Sequence, residues 1–497
     1  MSTPQDPKLT TRRDFFRQAS CAAVGTWALK STIRDLRMIN AAVAQSNLPG
    51  YKALVCLFLA GGNDANNWIV PTDTSTYNEY TSIRGNLSLP LNSLHTLRTG
   101  PSGGNPAYQD SDGHTYGFHP SNVELQTLFG EKKLAAVMNV GTLVRPTTRA
   151  QYLSNASGYR PPQLFSHSDQ VTQWQTSIPD QAPLTGWGGR VADILNSAAN
   201  PNGNISMSVS LNGANTFEIG NFITQYHVST TGAVAMTGSL MTSNAPRVRA
   251  LREILGLNAS SVTPNLQQRV YSEVVDRAIA TGDILNSAIS ATALDSFWTV
   301  PFPNTTLGNQ LKMIARLIHA RGPAGFNMGR QIFFCSVGGY DTHTAQVTLT
   351  PANDTLTGTH ATLLNEVSEC MFAFQRAMEQ LDLSDPLKPV SNNVTTFTAS
   401  DFNRTFPTNS QGSDHGWGAH HLVMGGAVSG GEMYGKLPTL AVNGPDDTGT
   451  GRWIPTLAVD QHSATLAKWF GVDPGATMAQ IFPNLSRFST PNLGFMG

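Results

Sequence analysis

The chain has 497 residues, a formal net charge of -1, 13% charged residues and 40% hydrophobic residues. That is enough apolar material for a sizeable core, and near-neutral charge without a basic run excludes nucleic acid as the main partner. The 45 glycines and 29 prolines exclude a plain helical bundle and point to an α/β protein with many turns.

Residues 1–44 read as a targeting segment. Thr10-Thr11-Arg12-Arg13-Asp14-Phe15-Phe16-Arg17 matches a twin-arginine export signal, a short apolar region runs from Ala19 to Leu29, and Ala42-Val43-Ala44 predicts cleavage after Ala44. The expected location is therefore the periplasm or beyond, with the twin-arginine translocase as the partner during export. Cys21 lacks the aliphatic residue that a lipoprotein signal carries upstream, and no later apolar stretch is long enough for stable membrane insertion. Cys56, Cys335 and Cys370 each lie in an apolar run, which is not a disulfide framework.

In chain order, Ala53 to Ala60 is a continuous apolar run, the pattern of a strand buried on both faces, and it ends in Gly61-Gly62-Asn63-Asp64. Open α/β sheets place their sites in loops at the carboxyl ends of parallel strands, so Asp64 is a first ligand candidate, with a turn or helix-cap role as the alternative. Residues 72–117 are polar and turn-rich; the G-x-S-x-G match at Gly100–Gly104 has loop on both sides and is not a nucleophile elbow. His119-Pro120 opens a helix containing Leu125, Leu128 and Phe129, and Leu134 to Val140 is the next strand. Ser166-His167-Ser168-Asp169 reads either as a helix N-cap cluster or as the source of a nucleophilic Ser166 beside metal. Asn204 to Leu211 alternates as a strand, and residues 244–297 read as a mostly helical cap or insertion.

Gln331 to Val337 repeats the first motif: an apolar strand, paired glycines, then Asp341-Thr342-His343, whose acid and imidazole share one side of an extended segment. The helix from about His360 to Leu383 carries a core stripe of Leu364, Val367, Met371, Phe374, Met378 and Leu381. Asn393 to Ala399 is a third strand, followed by Ser400-Asp401-Phe402-Asn403-Arg404; Arg404 reads as an oxyanion clamp or as a structural ion-pair partner. Gln411–Gly418 (QGSDHGWG) sets Asp414-His415 on a glycine-rich turn, a mixed O/N ligand pair for zinc, manganese or iron, with His420 and His421 close behind. Asp460 stands where a helix N-cap is expected, and His462 falls in the first turn as a surface histidine or a late ligand.

The order Asp64, Ser166, Asp341-x-His343, Asp414-His415 and a late His resembles the alkaline phosphatase superfamily, which includes sulfatases and cofactor-independent phosphoglycerate mutases. In that superfamily the early Asp, the nucleophile and the late Asp-His hold one metal, and a middle Asp/His pair with a final His holds the other. More closely, the mature chain resembles a twin-arginine-exported bacterial family known as a domain of unknown function (number fifteen-oh-one). The segments that carry this likeness are Gly61–Asp64, Ser166-His167, Gly339–His343, Ser400–Arg404, Ser413–Gly416 and Val459-Asp460-Gln461 before Trp469-Phe470-Gly471. Here Asp341 and His343 sit closer together than the superfamily's pair, Ser166 lies further from Asp64, and the last ligand is open among His420, His421 and His462.

The resemblance implies one alkaline phosphatase-like α/β domain over residues 45–497, with a mainly parallel sheet flanked by helices. It implies a metal-dependent hydrolase of phosphate or sulfate esters, small or polymer-attached. Divalent ions (zinc, manganese, iron or magnesium) would be held by Asp64, Asp341, His343, Asp414, His415 and His462, with Ser166 and Arg404 catalytic. A non-catalytic exported binding or cell-surface protein that keeps the fold is the alternative.

Overall fold

The computed structural model describes residue 48 and residues 50–497, apart from 101–102, 293, 349–353, 385–388 and most of 234–279. The export signal, Cys21 and Ser102 lie outside these residues, as does most of the stretch expected to be helical over 244–297, of which 280–289 is described and helical.

Among the described residues ten strands form one sheet: β1 (Lys52–Leu59), β2 (Leu134–Gly141), β3 (Ser208–Ser210), β4 (Tyr226–Ser229), β5 (Gly232–Ala233), β6 (Arg330–Val337), β7 (Val394–Ser400), β8 (Ala419–Met424), β9 (Met433–Tyr434) and β10 (Leu457–Ala458). Their order is β9-β2-β8-β7-β1-β6-β3-β4-β5, with β10 also joined to β2. Pairing is parallel except where β8 runs against β2 and β7, and β5 against β4. The protein is thus α/β with a large, mixed, mostly parallel sheet flanked by helices. The helices that bear on the site are α1 (Thr74–Arg84), α2 (Val123–Gly130), α3 (His167–Thr176), α4 (Trp187–Ala199), α5 (Thr306–His319), α6 (Thr359–Ser384) and α7 (Val459–Phe470). Among the described residues no helix is long and apolar enough to cross a membrane.

The apolar runs became the central strands because only a sheet covered on both faces can hide them. In β1 every residue after Lys52 is buried, and β6 and β7 are buried throughout. Helix α5 buries Leu307, Leu311, Ile314 and Ile318, and α6 buries the stripe from Leu364 to Leu381, so the helical spacing seen in the sequence is core packing. Cys56, Cys335 and Cys370 are free and buried, and burial pushes their thiols up, that of Cys370 to about 12.

Three expected elements are shorter or shifted, the first two because a side chain bonds nearby backbone. Helix α2 starts at Val123 rather than at Pro120, since His119 Nδ1 accepts from Ser121 N at 3.0 Å and holds a turn. The strand expected over Asn204–Leu211 pairs only at Ser208–Ser210; Ser206 Oγ accepts from Ser208 N and Ser210 Oγ from Asn212 N at its two ends. Asp460 does not cap α7, which begins at Val459 after Ala458; its carboxyl group is fully buried and burial raises its pKa to about 8.

Register decides where the loops go. Leu59 pairs with both Val337 and Ser400, so β1, β6 and β7 end level and release residues 60–64, 338–343 and 401–404 at one edge. Because β8 is antiparallel, the turn that precedes it reaches the same edge. The β1 loop is closed by Asp64, whose fully buried carboxylate accepts from Arg84 Nη2 at the end of α1, from Asn66 Nδ2 at 3.0 Å and from Gln346 Nε2. Arg84 also donates to the carbonyls of Thr405 (3.2 Å) and Phe406 (2.9 Å), tying α1 to the loop after β7.

Asp64→Ala leaves the Arg84 charge buried and unpaired, and should cost about 3–5 kcal/mol of stability by urea denaturation. Burial opposes ionisation of Asp64, but Arg84 outweighs it and holds the carboxyl group below its usual range. This contribution is therefore complete above the ordinary carboxyl pKa and is lost as pH falls through the lowered folded value. Denaturation midpoints of wild type and Asp64→Ala should converge on acidification.

Candidate metal centre

Three histidines meet at the sheet edge, each from a different connection. His167 opens α3, His343 follows β6, and His415 lies on the turn before β8. The Nε2 of His415 is 3.1 Å from that of His167 and 2.9 Å from that of His343. Asp341 Oδ1 lies 3.4 Å from His167 Nε2, 3.2 Å from His343 Nε2 and 3.6 Å from His415 Nε2. Three of the four, His167, Asp341 and His415, have their ligand atoms all within 4.8 Å of one another.

The tautomers follow from the partners of the other ring nitrogens. His415 Nδ1 is 2.8 Å from the carbonyl of Phe165, which can only accept. His167 Nδ1 is 2.7 Å from Asp401 Oδ2, and His343 Nδ1 is 3.0 Å from Asp414 Oδ1, both carboxylates. Each Nδ1 therefore donates to its partner, which leaves each Nε2 as the nitrogen that can ligate. Burial, with the neighbouring cations and imidazoles, lowers the His415 pKa and keeps that ring neutral. Ligands 2.0–2.2 Å from a tetrahedral ion stand roughly 3.3–3.6 Å apart, close to the spacing of Asp341 from each ring, while His343 lies outside the group whose ligand atoms are all within 4.8 Å of one another. The donor set fits a divalent metal, with Nδ1 partners of the kind that orient metal-bound histidines.

Second contacts place each ligand. Asp401 accepts from Gly61 N at 3.1 Å through Oδ1 while it holds His167 through Oδ2. Arg404 Nη2 donates to Asp341 Oδ1 at 2.5 Å, and burial of Asp341, which opposes its charge, is outweighed by this bond. Asp414 also accepts from Asn409 Nδ2 at 3.0 Å; burial is again outweighed, and its pKa lies below the usual range. Phe165 sits at φ 75°, a strained backbone for a bulky side chain, and that geometry supplies the carbonyl that His415 needs.

Of the residues named from the sequence, the structure brings Asp341, His343 and His415 together and sets Asp414 behind His343. Asp64 is held by Arg84. Ser166 Oγ donates to Asp169 Oδ2 at 2.6 Å, within its own N-terminal turn. Arg404 has a fully buried side chain, and all three guanidinium nitrogens donate to protein oxygens, so it meets Asp341 rather than solvent. His462 is neither at the surface nor in the cluster: it is fully buried among Trp174, Phe397 and Phe495, with no hydrogen-bond partner on either ring nitrogen, and burial lowers its pKa to about 3. His420 and His421 are buried in β8. Sequence reasoning passed over His167 as a ligand and Asp401 as its support. The available signal was the tripeptide Ser166-His167-Ser168 itself, read for its hydroxyls instead of its imidazole.

Residues 308–479 match the family model described as Protein of unknown function (DUF1501). The matched stretch contains Asp341, His343, Asp401, Arg404, Asp414 and His415, and leaves out Asp64 and His167. No curated protein matches the chain.

Two substitutions test this arrangement without touching a ligand. Asp401→Asn should weaken zinc binding roughly 10- to 100-fold by chelator competition, with the melting temperature little changed. Gly61 has φ +117°, and a Cβ there would stand 2.5 Å from Asp341 N and 2.9 Å from Tyr340 C. Gly61→Ala should therefore displace the Asp341 loop and lower zinc occupancy, as read by elemental analysis.

Proposed function

We propose that the cluster holds one divalent metal ion and that the protein is a metal-dependent hydrolase of phosphate or sulfate esters, exported by the twin-arginine pathway. The observation that carries the metal is the triad of His167 Nε2, His415 Nε2 and the Asp341 carboxylate, whose ligand atoms all lie within 4.8 Å of one another, with His343 beside it. When bound, a divalent ion supplies Lewis acidity toward an ester oxygen. Zinc, manganese and iron all suit a three-imidazole, one-carboxylate set.

The chain's own residues do the rest. His167, His415 and Asp341 hold the ion, with His343 beside them; Asp401, Asp414 and the Phe165 carbonyl fix the rings; Arg404 fixes Asp341. The cluster is open to substrate, since the side chains of Asp341 and His343 remain 52% and 41% exposed. The part of the alkaline phosphatase-like order that reaches the cluster, Asp341-x-His343 and Asp414-His415, supports the ester class. Among the described residues only one group of three or more ligating side chains is found, which favours one ion over two. With Ser166 held by Asp169, water is the nucleophile in this reading.

The binding-protein alternative draws on one observation: neither Ser166 nor Arg404, the two residues expected to do chemistry, is free to meet a substrate. Metal content and turnover of aryl phosphate, phosphodiester and sulfate esters decide between the two. Near-stoichiometric metal with turnover that falls at least a hundredfold in His415→Ala, but stays within a few-fold in Ser166→Ala, is the expected result. Metal without turnover on any ester would leave the binding protein standing, and folded protein that takes up no zinc, manganese or iron would overturn the metal centre and the hydrolase.

A further inference from the structure

Arg404 is consumed by the scaffold, and a second arginine, Arg452, lies beside the turn that carries His415. Its Nε donates to the carbonyl of His415 at 2.7 Å, which fixes it to the backbone of a cluster residue. Its Cζ lies 4.2 Å from the centre of the Phe165 ring, the residue whose carbonyl holds His415 Nδ1. The backbone is equally constrained, because fully buried Asp447 accepts from Arg452 N at 2.9 Å and from Gly451 N at 2.8 Å. A guanidinium held at Nε and stacked on a ring has lost most of its rotamer freedom before any ligand arrives.

Among the described residues its remaining donors, on the two Nη nitrogens, have no acceptor, and no residue pairs with the Arg452 charge within 4.0 Å. The side chain is only partly buried. Arg84 and Arg404 differ on both counts: their side chains are fully buried and they are ion-paired to Asp64 and Asp341.

We propose that Arg452 is the oxyanion clamp of this centre, its two Nη groups binding a tetrahedral phosphoryl or sulfuryl group beside the metal. The proposal rests on the metal-centre reading and adds to it the residue that recognises the substrate's charge. Two parallel N–H···O bonds from one rigid fork match the edge of a tetrahedral oxyanion, which a lysine in the same place would contact only as a point charge.

The test uses zinc-loaded mature protein as wild type, Arg452→Gln and Arg452→Lys, with zinc content and melting temperature measured on each. Inorganic phosphate and inorganic sulfate are titrated calorimetrically, and KM and kcat are measured on aryl phosphate and aryl sulfate. Arg452→Gln should keep its zinc and melting temperature, bind the better of the two anions roughly 10- to 100-fold more weakly, and raise KM more than it lowers kcat. Arg452→Lys should fall between it and wild type. The clamp is overturned if Arg452→Gln binds both anions as wild type does. It is overturned equally if zinc is lost together with the anion, because Arg452 then serves only to hold His415. Anion binding that depends on Arg452 in a protein that turns over no ester would sink the hydrolase and keep the clamp. Ester turnover unchanged in Arg452→Gln would do the reverse.

Discussion

The guanidinium of Arg404 is the constraint on which the site depends. It donates to the carbonyls of Gly61, Gly62, Tyr340 and Ser413 and to the Asp341 carboxylate. Those oxygens belong to the loops after β1 and β6 and to the turn before β8. A buried cation is tolerated only where protein oxygens replace the water it has lost. Burying Arg404 therefore requires three chain segments, far apart in sequence, to close around it. The same closure leaves Asp341 at the cation's edge with its remaining electron density directed to the histidines.

Around that anchor the centre follows a rule of division. Each imidazole spends one nitrogen on the scaffold and keeps the other for a ligand. The acceptors differ in kind, two carboxylates and one strained backbone carbonyl, yet each has the same effect of fixing a tautomer and an angle. The strain at Phe165 lies where a functional requirement outweighs local preference. Deeper in the fold the logic reverses. His462 and Asp460 have no hydrogen-bond partners, and burial holds both in their neutral forms.

Much of the fold was legible in the sequence. The runs Ala53–Ala60 and Gln331–Val337 are short and apolar, the pattern of strands buried on both faces, and Asn393–Ala399 is rich in the β-branched residues that strands favour. The stripe on α6 is too regular to be anything but core. The glycine-rich loops with acids and imidazoles after those strands were also plain, and so was their place at the carboxyl edge of a parallel sheet. What failed were short-range competitions between a side chain and its own backbone, as at His119, Ser206 and Ser210, which leave no mark in an apolar period.

The assignment of roles within those loops was a different matter. By itself the sequence determined that Asp64, Asp341, His343 and Asp401 would follow the buried strands, and the antiparallel course of β8 brought Asp414 and His415 to the same edge. Only the tertiary structure decided that Asp64 would meet Arg84, that Asp401 and Asp414 would stand behind histidines, and that His167 would complete the cluster. It also buried Arg404 in the scaffold and left the donors of Arg452 unclaimed. The reason is physical. A carboxylate, imidazole or guanidinium carries no role of its own, and its chemistry is set by which partners come within about 3 Å. In this chain those partners lie up to several hundred residues away, brought close by the shared register of β1, β6 and β7.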